Sequence, residues 1–307
     1  MLRRERLIAA DPSHSWIVET YDETVSTNSL VKDMIKGMLL TNTNLPDDLV
    51  NVDRDKTYFA ATSLVQTGGY GRQGRTWTSP RGGLYLSLGL PIRVSSLNAL
   101  PTISLVCALA LKKVIESFVL YHRCNIKWPN DILVDSGKIC GISLESVNGY
   151  LCIGIGLNVF HPKDAHIDSR YEVRYLADYL QETYCGSSDS NGESNSLCDQ
   201  VCSVSHDALR AIPFEEEVLE QLAGRILRTI GLYYDRWVDE GFSSFRSAFE
   251  SCMSFIGSSV DLELIDGSSL VQGTICGIDE NGRLLVEHNG IEQGFASGEV
   301  HVKTAMI

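Results

Sequence analysis

The segment Gly68-Gly-Tyr-Gly-Arg-Gln-Gly-Arg-Thr-Trp77 limits the fold of this chain more than any other. Its four glycines allow close backbone approach to a ligand. Arg72 and Arg75 add permanent positive charge, and Trp77 adds a flat apolar face. Gly69, Gly71 and Gly74 spell GxGxxG, which in a dinucleotide-binding fold must follow a strand and open a helix. The apolar run Tyr58 to Val65 supplies the strand, but Pro80, Gly82 and Gly83 break any helix that starts after Gly74. Leu84 to Leu88 then reads as a second strand. A glycine-rich kinase loop also lies between strands, yet neither an HRD nor a DFG follows. What remains is a pliable cationic loop between two strands, suited to closing over an anion such as a phosphate.

That cation cluster stands out because the 307-residue chain carries a net charge of −13, which argues against a nucleic-acid-binding surface. The length suits one large core and a small appended module. No apolar run approaches a membrane span; Thr102 to Phe118 contains Lys112, Lys113 and Glu116 and reads as a helix packed on a sheet. Met1 to Ile8 is basic and faintly amphipathic, as in a mitochondrial targeting peptide, but Glu5 counts against that, and the cytoplasm is the expected compartment. The absence of a secretory signal implies reduced thiols. Cys107, Cys124, Cys140, Cys152, Cys252 and Cys276 are expected in the core. Cys185, Cys198, Cys202 and His206 are too loosely spaced for a structural zinc site. They lie in or beside a polar stretch, 182–205, expected to be a mobile surface insertion.

A second constellation, Ile126-Lys-Trp-Pro-Asn-Asp-Ile-Leu-Val134, sets a cation, an aromatic, an amide and a carboxylate within five residues. Pro129 holds Trp128 extended, which places the polar group at a strand-to-strand transition. After a turn at Asp135-Ser136-Gly137, a strand from Lys138 to Glu145 returns, so that Lys127 and Lys138 are expected to face one pocket from neighbouring strands. Gly154 and Gly156 alternate in a further strand, a pattern that marks close approach by another group. Elsewhere, helices are expected over Thr24 to Leu40, with Ser26 or Thr27 as cap, over Phe214 to Trp237 and over Gly241 to Cys252. From Gly257 the texture becomes β, with turns at Asp266-Gly267, Asn281-Gly282 and Asn289-Gly290.

With these segments in view, the chain resembles the biotin protein ligases. Ser26-Thr27-Asn28, Gln66 with the loop Gly69 to Arg75, the Lys-Trp-Pro-Asn-Asp run, Gly137 to Ile142, and Gly154 to Asn158 follow in that family's order. The resemblance is dense from Asp22 to Phe160 and resumes from Gly257 to Lys303. It departs at Tyr70, where the family's loop often carries arginine, and at Gln73. The helix-turn-helix that precedes many bacterial members has no counterpart here, so a repressor role is not expected.

The resemblance implies an α+β fold: a mixed β-sheet backed by helices, of the class II synthetase and lipoate-ligase type, over residues 1–254. A small SH3-like β-barrel follows over 255–307. It also implies a two-step ATP-dependent reaction, forming biotinyl-5'-AMP and then transferring biotin to a lysine of a carboxylase's biotin carboxyl carrier domain. On that reading, Arg72, Lys127 and Lys138 stabilise developing charge, and Asp131 organises Mg²⁺ or phosphate. Trp77 packs on adenine, while Asn130 and Asn158 contact the nucleotide. Ser26, Thr27, Asn28 and Gln66 bond biotin's ureido ring. Gly141, Gly154 and Gly156 leave it room, and Gly69, Tyr70, Gly71 and Arg75 belong to the closing loop. ATP and biotin are substrates, and no membrane or nucleic-acid partner is expected. The chain would be a monomer or weak homodimer. A lipoate or octanoate transferase and a non-catalytic biotinyl-adenylate sensor are the alternatives.

Overall fold

The computed structural model describes residues 15–40, 57–94, 96–119, 121–163, 172–179, 212–264 and 270–302. The expected insertion at 182–205, the Cys185–His206 group, Met1 to Ile8 and the turn at Asp266-Gly267 lie outside them. A seven-stranded mixed sheet forms the larger part. Its strands are β1 (Ser15–Thr24), β2 (Thr57–Gln66), β3 (Gly83–Pro91), β4 (Cys124–Lys127), β5 (Asp131–Val134), β6 (Gly137–Val147) and β7 (Tyr150–Asn158). They run in the order β1-β2-β3-β7-β6-β5-β4, with only β1 and β2 parallel.

Helix α1 (Thr27–Leu40) packs on one face, where Val31 and Ile35 meet Phe59, Ala61, Tyr150 and Cys152. The opposite face is covered by α2 (Thr102–Glu116), α3 (Ile212–Glu240) and α4 (Ser243–Ser251). α2 is apolar on almost every side because the sheet and α3 both press on it. Within the sheet Trp16 stands edge-on to Tyr58 at 5.0 Å, and Tyr58 in turn links the sheet to α3, standing edge-on to Tyr234 at 5.9 Å. No described helix is long and apolar enough to cross a membrane.

The remaining strands, β8 (Ser259–Glu263), β9 (Leu270–Ile278), β10 (Leu284–His288), β11 (Ile291–Phe295) and β12 (Glu299–Val302), form an antiparallel sheet in the order β11-β10-β9-β8-β12. This is the SH3-like element expected after 255. Asn289 and Gly290, both at positive φ, make its tightest hairpin. The two sheets are joined at the far edge of the larger one. Ser254 donates its N–H to Ile126 O, and Ile126 donates to Cys252 O, so the chain leaving α4 covers the open side of β4. Beside this, the buried Trp128 indole N–H donates to Gly282 O at 3.0 Å.

Three expectations change. β1 was not foreseen, because Glu19, Tyr21, Asp22 and Glu23 mask the alternation of Trp16 and Val18. Cys276 is exposed on β9, whereas the other five cysteines named above are buried. Lys127 and Lys138 stand on β4 and β6, which are separated by β5 and so are not neighbouring strands.

Trp128→Phe keeps an aromatic ring but strands the Gly282 carbonyl. It should lower unfolding stability by about 1–3 kcal/mol, read as a lower urea midpoint at unchanged slope. An unchanged midpoint would show that the bond does not tie the two sheets.

Candidate active site

The cleft is laid out by strand register. Residues directly opposite each other in a sheet share a face. One row across the α1 face reads Ala61, Ser87, Gly154, Ser143; the next reads Ser63, Tyr85, Gly156, Gly141, Asp131, Lys127. α1 covers the sheet up to the first row and begins there, at Thr27, so the second row is left as a floor. The loop between β2 and β3 forms one wall, and Gly298 to Val300 of the small sheet form another. They enclose a cleft of about 440 Å³, a size suited to a small-molecule site.

One end of the cleft is uncharged. Gln66 accepts from the Thr27 backbone N–H at 2.8 Å and donates to Ser79 Oγ at 2.9 Å. Thr27 Oγ1 and Ser87 Oγ lie 2.7 Å apart. Ser87 donates to Asn28 Oδ1 at 2.6 Å, and Asn28 Nδ2 donates to Ser143 Oγ at 3.2 Å. Ser26, Thr27, Asn28, Ser87 and Ser143 are all buried. Such a closed network fixes each group's direction before any ligand meets it. Thr27 therefore spends its hydroxyl across the sheet rather than as a helix cap.

The other end is cationic. Lys138 Nζ lies 2.8 Å from Asp131 Oδ1, and Arg72 Nη1 donates to Asn130 Oδ1 at 3.0 Å. Asn130 is itself held by donating to Ile142 O at 2.6 Å. Lys127, only 6 % exposed, completes the group. Burial lowers the pKa of Lys127 below the usual lysine range. Asp131 and Glu299 oppose the shift, whereas Lys138 and Arg75 add to it. Burial likewise lowers Arg72, again opposed by Asp131 and Glu299. Four cations and two carboxylates line this cleft, in a chain that is acidic overall.

Trp77 sits between the two ends. Its ring lies over Gly141 and Gly156, where an added Cβ would come within about 3 Å of it, and Lys138 Nζ stands 5.2 Å from its centroid. Its buried indole N–H has no hydrogen-bond partner among the described residues, an arrangement that suits an acceptor supplied by a ligand. Gly141 and Gly156, expected to leave room for a ligand, thus admit Trp77, while Gly154 admits Asn28 and Ser143.

Every residue expected at the site lines this cleft except Gly69, which is packed behind the loop against Ser79, Trp77 O and Gln66. Asn158 is buried at the rim. The sequence reading missed Ser87, a lone serine in the apolar β3, and Ser143, which nothing in β6 sets apart from Ser146. It also missed Glu299, which ion-pairs with Arg75 from the small sheet.

A strand-flanked glycine loop, a glycine-floored cleft and a cationic end opposite a neutral hydrogen-bonding end suit a small ligand with one neutral and one anionic end. Comparison with known proteins agrees. The Biotin/lipoate A/B protein ligase family matches residues 38–158. Biotin--protein ligase 2 of Arabidopsis thaliana is 24% identical over 91% of this chain and 76% of its own length. The biotin--[acetyl-CoA-carboxylase] ligase of Mycobacterium tuberculosis is 26% identical over 76% and 75%. The fold matches a biotin protein ligase from Aquifex aeolicus, solved in complex with biotin and ATP, with a TM-score of 0.64 and 22% identity over 94% of this chain and 99% of that one. Over most of its length the chain is thus similar to biotin protein ligases in sequence and in fold.

Burial of the Lys127 cation carries a stability cost whose sign can be tested. Between its lowered folded pKa and the ordinary 10.5, the unfolded chain holds a proton that the folded chain has released. Stability therefore rises as pH climbs through that window. Below it, the folded state bears the full cost. Lys127→Met should raise unfolding stability by about 1 kcal/mol at neutral pH and remove this alkaline gain. A variant that melts lower, with the gain intact, would show that the cation is fully compensated.

Proposed function

We infer that this protein activates biotin with ATP to give biotinyl-5'-AMP and then passes the biotinyl group to a lysine of a biotin carboxyl carrier domain. The observation that carries this reading is the polarity of the cleft: a neutral network of Thr27, Asn28, Gln66, Ser87 and Ser143 at one end, and Arg72, Lys127 and Lys138 at the other. Biotin's ureido ring has matching needs, since it offers two N–H donors and one carbonyl acceptor and is otherwise apolar. With the ring in the neutral end, the carboxylate on its valeryl chain reaches the cationic end.

There, one carboxylate oxygen attacks the α-phosphorus of ATP, forming the acyl phosphate bond as the bond to the β-phosphate oxygen breaks. Two anions must approach within bonding distance, so preplaced cations lower the barrier most. Arg72 is aimed by Asn130 and Lys138 by Asp131, so little reorganisation is needed at reaction. Trp77 offers its ring to the adenine and its free indole N–H to an acceptor. In the second step, the acceptor lysine's amine attacks the acyl carbon of the mixed anhydride and AMP leaves with the bonding pair. No nucleophile of the enzyme is consumed. Closure of the loop excludes the water that would hydrolyse the anhydride.

Glu299, at the cleft wall, stands with Glu263 and His301 in a group whose ligand atoms lie within 4.8 Å of one another and could hold a metal ion. The cleft's carboxylates are Asp131 and Glu299, paired with Lys138 and Arg75 respectively. We assign Asp131 to orienting Lys138.

Purified protein given ATP, Mg²⁺ and biotin should release pyrophosphate, and an added apo carrier domain should become labelled on lysine. Arg72→Ala and Lys138→Ala should each slow adenylation by about 100-fold. Turnover with lipoate but not biotin would overturn the assignment. A single burst of pyrophosphate with no labelled carrier would replace a ligase with a sensor.

A further inference from the structure

The glycine loop is already tied down by residues that the reaction does not use. Tyr70 OH accepts from Lys32 Nζ at 2.9 Å and donates to Glu145 Oε1 at 2.9 Å. Lys32 Nζ also lies 2.5 Å from Glu145 Oε2, and 5.5 Å from the centre of the Tyr70 ring. Three elements converge there: the loop, α1 and β6. Tyr70 is bridged to Thr76 across the loop, and Gly71 N–H donates to Arg75 O at 2.7 Å. Whatever fixes Tyr70 therefore fixes the small hairpin that carries Arg72.

We propose that Tyr70, Lys32 and Glu145 form a latch that holds the loop over the cleft before substrate arrives, making Tyr70 a positioning residue for Arg72. A loop with glycines at 68, 69, 71 and 74 loses much backbone freedom on closing. The latch meets that cost in the free protein, so binding need not meet it. Burial alone would lower the Lys32 pKa, but its hydrogen bonds to Glu145 and Tyr70 raise it, so the latch keeps its cation. A tyrosine suits this place because its hydroxyl serves both partners at once. An arginine would set like charge against Lys32.

The test has two parts, and only the second rests on the ligase reading. Trypsin cuts after Arg72 and Arg75, so the cleavage rate of the substrate-free protein, with products located by mass, reports loop opening. Tyr70→Phe and Glu145→Gln should each speed that cleavage about tenfold, and Tyr70→Arg at least as much. Added biotin and ATP should restore protection in all three. In steady-state adenylation, KM for biotin should rise about tenfold in Tyr70→Phe while kcat stays within about twofold, because a bound adenylate holds the loop shut. Unchanged cleavage in both Tyr70→Phe and Glu145→Gln would overturn the latch. So would a fall in kcat at constant KM, which would place Tyr70 in the chemistry. A wild type that shows no adenylation would sink the ligase assignment and leave the cleavage result standing.

Discussion

Lys138 and Arg75 press like charge on Lys127, and Arg75 does the same to Arg72, so the cationic end of the cleft depends on that repulsion being held in check. Asp131 is central to this. It sits in the same cross-strand row as Lys127 and Gly141, pairs directly with Lys138, and favours the charged forms of both Lys127 and Arg72. Like charges this close, partly shielded from water, cost far more than at an exposed surface. The protein tolerates them because anionic substrates supply what the fold leaves uncompensated. A site that binds anions tightly and a site that destabilises its own free state are one arrangement seen from two sides.

The second requirement is that the strands lie close beneath the ligand, and the sheet achieves this by leaving out side chains. Gly154 and Gly156 face Ser143 and Gly141 across β6 and β7, so the floor has almost no relief. Trp77 uses that space, and the indole reaches Lys138 only because nothing stands between. The small sheet then completes the wall: Glu299 meets Arg75, and Gly282 receives Trp128. One tie belongs to the glycine loop, the other to the packed core.

Much of this was legible in the sequence because local chemistry is unambiguous there. Pro80 and paired glycines ruled out the helix that a dinucleotide motif needs, and the structure shows one short 3₁₀ turn at Arg72–Gly74 followed by β3. Alternating glycines announced the floor, and Lys-Trp-Pro-Asn-Asp announced the cationic end. What escaped notice depends on long-range register. Ser87 and Ser143 are ordinary residues until pairing places them on either side of Gly154. Glu299 lies more than 200 positions from Arg75 and gave no local sign of facing it. Tyr70 stood out as a departure from its relatives, but its partners Lys32 and Glu145 come from a helix face and a distant strand.

The two borders of the large sheet differ in a way that bears on self-association. Along β4, the chain after α4 has already taken the hydrogen-bonding positions. Among the described residues, that leaves β1 as the border where a second copy could add its own strand. Glu19, Asp22 and Glu23 place three carboxylates along that border, in a protein already strongly negative. Like charges set opposite one another on adjoining strands oppose such a seam, and acidic edges are a common guard against it. The acidic run that hid β1 from view in the sequence thereby discourages two sheets from growing into one.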